Sequence, residues 1–300
     1  MRVRRYAGYA RATVLAAAAL FALAARPASA IDTNARDYIW APPGTQVSLV
    51  YLNPYMKAGS YRADDDGVPG SSLDASAVAL RHAVFTDACG VLCTPQFVLP
   101  YQRTELEIGA GTVAPEQRVS GVGDPRLGSS FALVNDPETA QYAGVTGYVT
   151  VPVGHYDSDR ADASPGGNRW AFSALANYTV GLGQGIYLES TIEAQFYGDN
   201  DDYYGRTLSQ DPLYRLQTHL SFDITPSTYV AARHYFSHGG AVSIDGRDVR
   251  GTRRRNHQIG AELAHWVTPR DQLMLMVARD VEVQAGFETK QVLLRYAHFY

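Results

Sequence analysis

Charged and amide side chains recur at even spacings in this chain: Glu189, Glu193 and Gln195 in one stretch, Arg215, Gln217 and His219 in the next. In an extended strand, even spacing puts such residues on one face. Leu188, Ile192, Ala194 and Phe196 take the opposite face of the first stretch, and Leu216, Thr218, Leu220 and Phe222 that of the second. The same alternation sends Arg81, Arg103, Glu105, Arg233, Glu262 and Arg295 to the polar side. Residues of these types can pair with one another into a rigid network. They can also line a polar passage whose opposed charges select what moves along it. Both chemistries are non-covalent.

Bond-making chemistry has less support. His219 and Ser221 share the polar face, His298 lies on the apolar face of the last strand with no serine beside it, and no Gly-x-Ser-x-Gly elbow occurs. Gly121-Val-Gly-Asp-Pro125 lacks the third glycine and the following helix of a dinucleotide loop, and reads as a turn that opens a strand. The acidic runs Asp64–Asp66 and Asp199–Asp202 lack an EF-hand pattern and read as solvated loops. Cys89 and Cys93 offer too few ligands for a metal centre, and read as a local disulfide or as free thiols. No catalytic residue, metal or cofactor is expected.

The elements that must position these residues are short strands. Twelve alternating segments span 45–54, 77–86, 96–108, 124–134, 142–152, 169–180, 186–197, 212–223, 228–237, 256–267, 271–281 and 290–300. Each is close to the length of a tilted membrane strand, roughly 9–11 residues. The connectors alternate in length. Those after even-numbered segments are mostly tight and rich in Gly, Pro, Asp or Asn, and those after odd-numbered segments are mostly long and polar. This parity predicts an all-β fold: a transmembrane antiparallel up-and-down barrel of about 12 strands, with short periplasmic turns and long extracellular loops. The basic loop Arg247–Arg255 would then lie near lipopolysaccharide phosphates.

The last strand fits that fold. Val292, Leu294, Tyr296 and Tyr300 point outward, and Phe299 lies next to the terminal residue. An aromatic ending on a strand that closes a barrel is the expected signal for the barrel-assembly machinery. The load of 20 Tyr, 10 Phe and 3 Trp suits the interfacial girdles of such a wall.

The amino end reads as a cleaved export signal over residues 1–30. It has Arg2, Arg4 and Arg5, an apolar run from Val14 to Ala25, and the small-residue site Ala28-Ser29-Ala30. That segment holds five arginines and no acid, so the 26 basic residues fall to 21 against 30 acidic ones in the remaining 270. The resulting negative balance gives no reason to expect a nucleic-acid partner. Residues 31–44 read as a short periplasmic arm, and 45–300 as the barrel.

Several motifs resemble one family. Pro43-Gly-Thr45 precedes the first strand and Gly121-Val-Gly-Asp-Pro125 opens the fourth. Val151-Pro-Val-Gly-His-Tyr-Asp157 closes the fifth, Gly167-Asn-Arg-Trp170 opens the sixth, and Gly198-Asp-Asn-Asp-Asp-Tyr-Tyr-Gly205 follows the seventh. Together they resemble the outer-membrane proteins associated with meta-pathway phenol degradation, across most of the chain after residue 30. The match departs at Val153, where a threonine is expected, and the loop 157–167 is longer and more polar than usual. The resemblance implies an outer-membrane transporter of small aromatic or hydrophobic solutes and no enzymatic activity. A structural or adhesive barrel with a plugged lumen is the alternative, followed by an outer-membrane lipid hydrolase.

Overall fold

The computed structural model describes residues 32–64, 66–88, 90–109 and 116–300. The export signal expected over residues 1–30 lies outside them. Twelve wall strands form a closed antiparallel barrel: β1 (Gln46–Ala58), β2 (Ser72–Val84), β3 (Cys93–Glu107), β4 in two parts (Glu116–Val122 and Arg126–Asp136), β5 (Gln141–Thr150), β6 (Ala171–Gly183), β7 (Ile186–Tyr197), β8 (Leu213–Thr225), β9 (Thr228–Gly239), β10 (Arg254–Thr268), β11 (Asp271–Glu282) and β12 (Lys290–Phe299). β1 pairs with β2 on one edge and with β12 on the other, where Leu49 faces Ala297 and Val50 faces Tyr296. Closure leaves no free edge except along Glu116–Val122, which pairs with β3 alone.

The dyad pattern sets the faces. Outward-facing Leu188, Ile192, Phe196, Leu216, Leu220 and Phe222 are exposed on the outer surface, while Glu189, Glu193, Gln217 and His219 are buried inside. A charge on the lipid side at mid-bilayer would cost roughly 2–4 kcal/mol for Arg or Lys, which drives the polar set inward. The last strand behaves as read: Leu294, Tyr296 and Tyr300 are exposed on the outside, Val292 is half-buried, and Phe299 turns inward against Trp266.

Two expectations change. Strands β1, β2 and β4 run several residues further toward the long loops than the alternating segments, with Glu116–Val122 read as loop, while β3 starts earlier, at Cys93. Arg103 and Glu105, read as inward, lie on the outer face of β3 instead, in line with Phe97, Leu99 and Tyr101. There Glu105 pairs with Arg103 at 2.6 Å and Arg118 at 3.0 Å. Outward charge is tolerated at this level because the strand has left the apolar band.

The second change concerns residues 32–44. They do not hang below the wall; residues 32–38 run up inside it and bond to the inner faces of five strands and more. Inward charges far apart in sequence need partners, and this segment supplies them.

Cys93 opens β3 in disulfide-bonded form, and Cys89 lies outside the described residues.

Candidate functional site

The lumen is closed at the short-turn end by the amino-terminal segment. The Thr33 N–H and hydroxyl donate to Gln217 Oε1 at 3.0 and 2.9 Å. Asn34 Nδ2 and Ala35 N–H donate to the two Glu262 oxygens at 3.2 and 3.0 Å. The Arg36 N–H donates to both Glu189 oxygens at 2.8 Å, in a left-handed backbone conformation with φ 69°. Its guanidinium reaches Asp223 at 2.6 Å between the rings of Tyr187 and Tyr229. Asp37 pairs with Arg295 at 3.0 Å and with Arg81 at 3.7 Å, and Tyr38 bonds Thr146 at 2.8 Å. Glu262, Arg36, Asp37, Arg81 and Arg295 each face an opposite charge, and Glu189 is held on both oxygens by the Arg36 N–H.

The long-loop end carries a cap. Two small sheets fold over the mouth: Ala285–Phe287 with Tyr61–Ala63 and Asp66–Val68, and Asn200–Tyr203 with Arg206–Gln210, Val242–Ile244 and Arg247–Asp248. Tyr61, Leu106, Ile108, Tyr203, Leu208 and Phe287 form its apolar core. Tyr203 and Tyr204 donate to the two oxygens of Asp162 at 2.6 and 3.1 Å. Burial, reinforced by the Asp162 carboxylate, holds the Tyr203 phenol well above its usual range, so it stays a donor.

Between floor and cap lies a cavity of about 240 Å³, with Asp32 and Asn34 of the floor among its lining residues. One side is apolar, from Met56, Leu73, Val98, Met276 and Leu293, and the other carries Arg126, Arg215, Arg233 and Arg254. A second space of about 150 Å³ continues under the cap past Tyr61, Arg169 and Tyr197, sharing Arg126, Arg215 and Arg254.

The wall beside this chamber has a seam. The first part of β4 pairs with β3 alone, because β5 ends at Thr150 opposite Arg126 and Ala171. Segment 151–167 fills the gap. His155 N–H donates to the Val122 carbonyl at 2.7 Å. Asp124 holds the segment with both oxygens, accepting from Gly154 N–H at 2.9 Å and Gly167 N–H at 2.5 Å. A Cβ on Gly154 would lie 2.6 Å from the Asp124 nitrogen, and one on Gly121 would lie 2.7 Å from His155 Cβ, so both approaches require glycine. Three of the sequence motifs thus meet at one carboxylate. Asp124→Ala is expected to speed amide exchange at Gly154 and Gly167 by about tenfold or more, since bonds to a charged group contribute roughly 1.5–3 kcal/mol each. Unchanged exchange would show that Asp124 does not hold the seam.

Nine of the residues read as inward line the interior: Arg81, Glu189, Glu193, Arg215, Gln217, His219, Arg233, Glu262 and Arg295. The structure divides them by level. Arg81, Glu189, Gln217, Glu262 and Arg295 hold the floor, whereas Arg215 and Arg233 face the cavity. Glu193 anchors Arg215 at 2.6 Å, and His219 lies 3.6 Å from Glu262. Sequence reasoning missed Arg126, Arg169, Arg254 and Tyr61, which sit at strand ends or in loops beyond the clear alternation. The hydrolase reading finds Ser48 Oγ 3.0 Å from His82 Nδ1 on the outer face, where Phe97 is the other ring neighbour of His82. His298 is bonded to Asp271 at 2.7 Å instead. No serine, histidine and acid are linked in one chain of bonds among the described residues.

Comparison with known proteins decides the family. The family named for the MetA-pathway of phenol degradation matches residues 59–296. The chain belongs to it. The COG4313 outer membrane channel from Pseudomonas putida F1 is 26% identical, with 90% of this chain and 100% of that one covered at a TM-score of 0.83. At 9% identity, two further structures share the fold alone. The transport unit of the autotransporter AIDA-I from Escherichia coli covers 97% of this chain and 96% of its own at a TM-score of 0.54. A deltaS2 mutant of the TodX monoaromatic hydrocarbon channel covers 89% and 91% at 0.50. No curated protein matches the chain. As a member of this family with this wall, the chain is an outer-membrane β-barrel. Its short-turn end is periplasmic and its capped end extracellular.

Proposed function

We propose that this barrel carries small aromatic or hydrophobic solutes across the outer membrane. The carrying observation is the chamber: an apolar-sided cavity under a loop cap, blocked toward the periplasm by residues 32–38, and flanked by a wall seam with no strand ladder. A water-filled pore for polar solutes would need a continuous path, which the floor interrupts. An apolar solute needs only to enter beneath the cap, rest against Met276 and Leu293, and leave through the seam at Gly154 into the bilayer. Opening the seam breaks the two bonds to Asp124 and the His155 bond to the Val122 carbonyl, and no strand pairing. No covalent step is required of the protein.

The remaining partners follow from the same reading. Residues 1–30 direct export, and the terminal strand is read by the assembly machinery. Arg103, Glu105 and Arg118 on the outer rim of β3 and β4 meet lipopolysaccharide. Deleting Phe299 and Tyr300 is expected to lower the amount of barrel inserted in the outer membrane. Full insertion of the truncated chain would remove the assembly role from that terminus.

Planar-bilayer recording with and without toluene tests the transport reading. Small steps that toluene reduces are expected, because the solute occupies the chamber through which ions leak. Silence from folded protein, unaltered by toluene, would favour a plugged ligand-binding barrel.

A further inference from the structure

The chamber's two sides differ in more than polarity. Every carboxylate lining it already accepts hydrogen bonds. Asp32 takes Arg233 at 3.4 Å, and Asp280 takes Thr289 and Gln258 at 2.6 to 3.0 Å. Asp124 holds the seam and Asp162 the two cap tyrosines. The donors are in the opposite condition. Arg215 Nε, together with Nε and Nη1 of Arg233, is buried without a hydrogen-bond acceptor among the described residues, although both guanidiniums have carboxylates nearby. Tyr61, fully buried at the boundary of cap and chamber, has a hydroxyl with no partner among the described residues. Arg254 lines both spaces, and its guanidinium has no hydrogen bond or ion pair among the described residues.

Buried donors without acceptors are costly and mark a place where an acceptor belongs. Guanidiniums favour a carboxylate, which they grip with two parallel bonds. The opposite side offers Met56, Leu73, Val98, Met276, Phe287 and Leu293, with nothing to bond a polar group but much to cover an apolar body. A neutral hydrocarbon would satisfy the apolar side and leave the donors unmet.

We infer that the chamber binds a small amphipathic carboxylate, its head at Arg254 and Arg233 and its aromatic or short aliphatic body against Met276 and Leu293. This rests on the transport reading and names the solute class for the same chamber. The anion would also explain why arginines, and not lysines, line the space: planar forks select the shape of the head as well as its charge.

Calorimetric titration of the full chain in a non-ionic detergent tests this, with benzoate, benzyl alcohol, octanoate, 1-octanol and toluene as probes. Either carboxylate is expected to bind at least tenfold tighter than its alcohol. Arg254→Gln should remove most of that advantage and leave alcohol and toluene binding unchanged, and Arg254→Lys should restore part of it. Benzoate ahead of octanoate would identify an aromatic acid, and the reverse order an aliphatic one. Equal binding of acid and alcohol, or a carboxylate preference that survives Arg254→Gln, would overturn the inference. Toluene binding without carboxylate binding would overturn it while leaving the transport reading intact. If none of the probes binds, both fail.

Discussion

Deleting residues 32–40 is expected to raise the single-channel conductance of the barrel several-fold, with the wall still folded. Those residues fill the periplasmic half of the lumen through contacts that no other segment duplicates. The Arg36 N–H occupies both oxygens of Glu189, its guanidinium occupies Asp223, and Asp37 occupies Arg295 and Arg81. Without them the lumen keeps Glu189, Glu262, Arg81 and Arg295 exposed to entering water, which hydrates them and conducts. The ladder from β1 through β12 does not include the deleted residues, so heat-modifiable gel mobility should persist. Unchanged conductance in a folded deletion variant would mean that the block lies in the cap.

Glu262→Ala should cost about 3–5 kcal/mol of stability, as removal of one partner from a buried ionic cluster typically does. Glu262 is nearly inaccessible, and it serves Asn34 and Ala35 of the floor while facing Arg233 at 3.5 Å. Its loss leaves Arg233 with Asp32 alone, at 3.4 Å, and releases the floor together. Glu262→Gln keeps an acceptor for Ala35 and loses only the charge, so its effect should be smaller. Glu105→Gln, outside the barrel and water-exposed, should leave the urea midpoint unmoved. Equal midpoints for Glu262→Ala and the unchanged chain would show that the cluster is not structural.

The contrast between Glu262 and Glu105 also shows how far the sequence could be read. Both are charges in alternating strands, and both read as inward. For Glu262 the rule held, because its neighbours Leu263 and Ala261 face lipid. For Glu105 the inward reading fails: it lies in line with Phe97, Leu99 and Tyr101 on the outer face, at a level where the strand has left the apolar band. Charge decides the face only within the apolar band, and sequence does not mark where that band ends. The number and order of strands were legible from period and loop length, which are local properties.

The chamber's closures were not legible. Residues 32–38 carry Asp37 and Arg36 but no pattern, and their partners lie on β2, β5, β7, β8, β10 and β12. The motifs around Asp124, Gly154 and Gly167 were visible one at a time. Their meeting at one carboxylate depends on a loop folding back across 30 to 43 residues.

The most direct test of the account is the initial rate of labelled toluene uptake by intact cells with and without this chain in their outer membrane. The expected result is a several-fold faster rate with the chain present than without it. Equal uptake with and without the chain would contradict transport of such solutes.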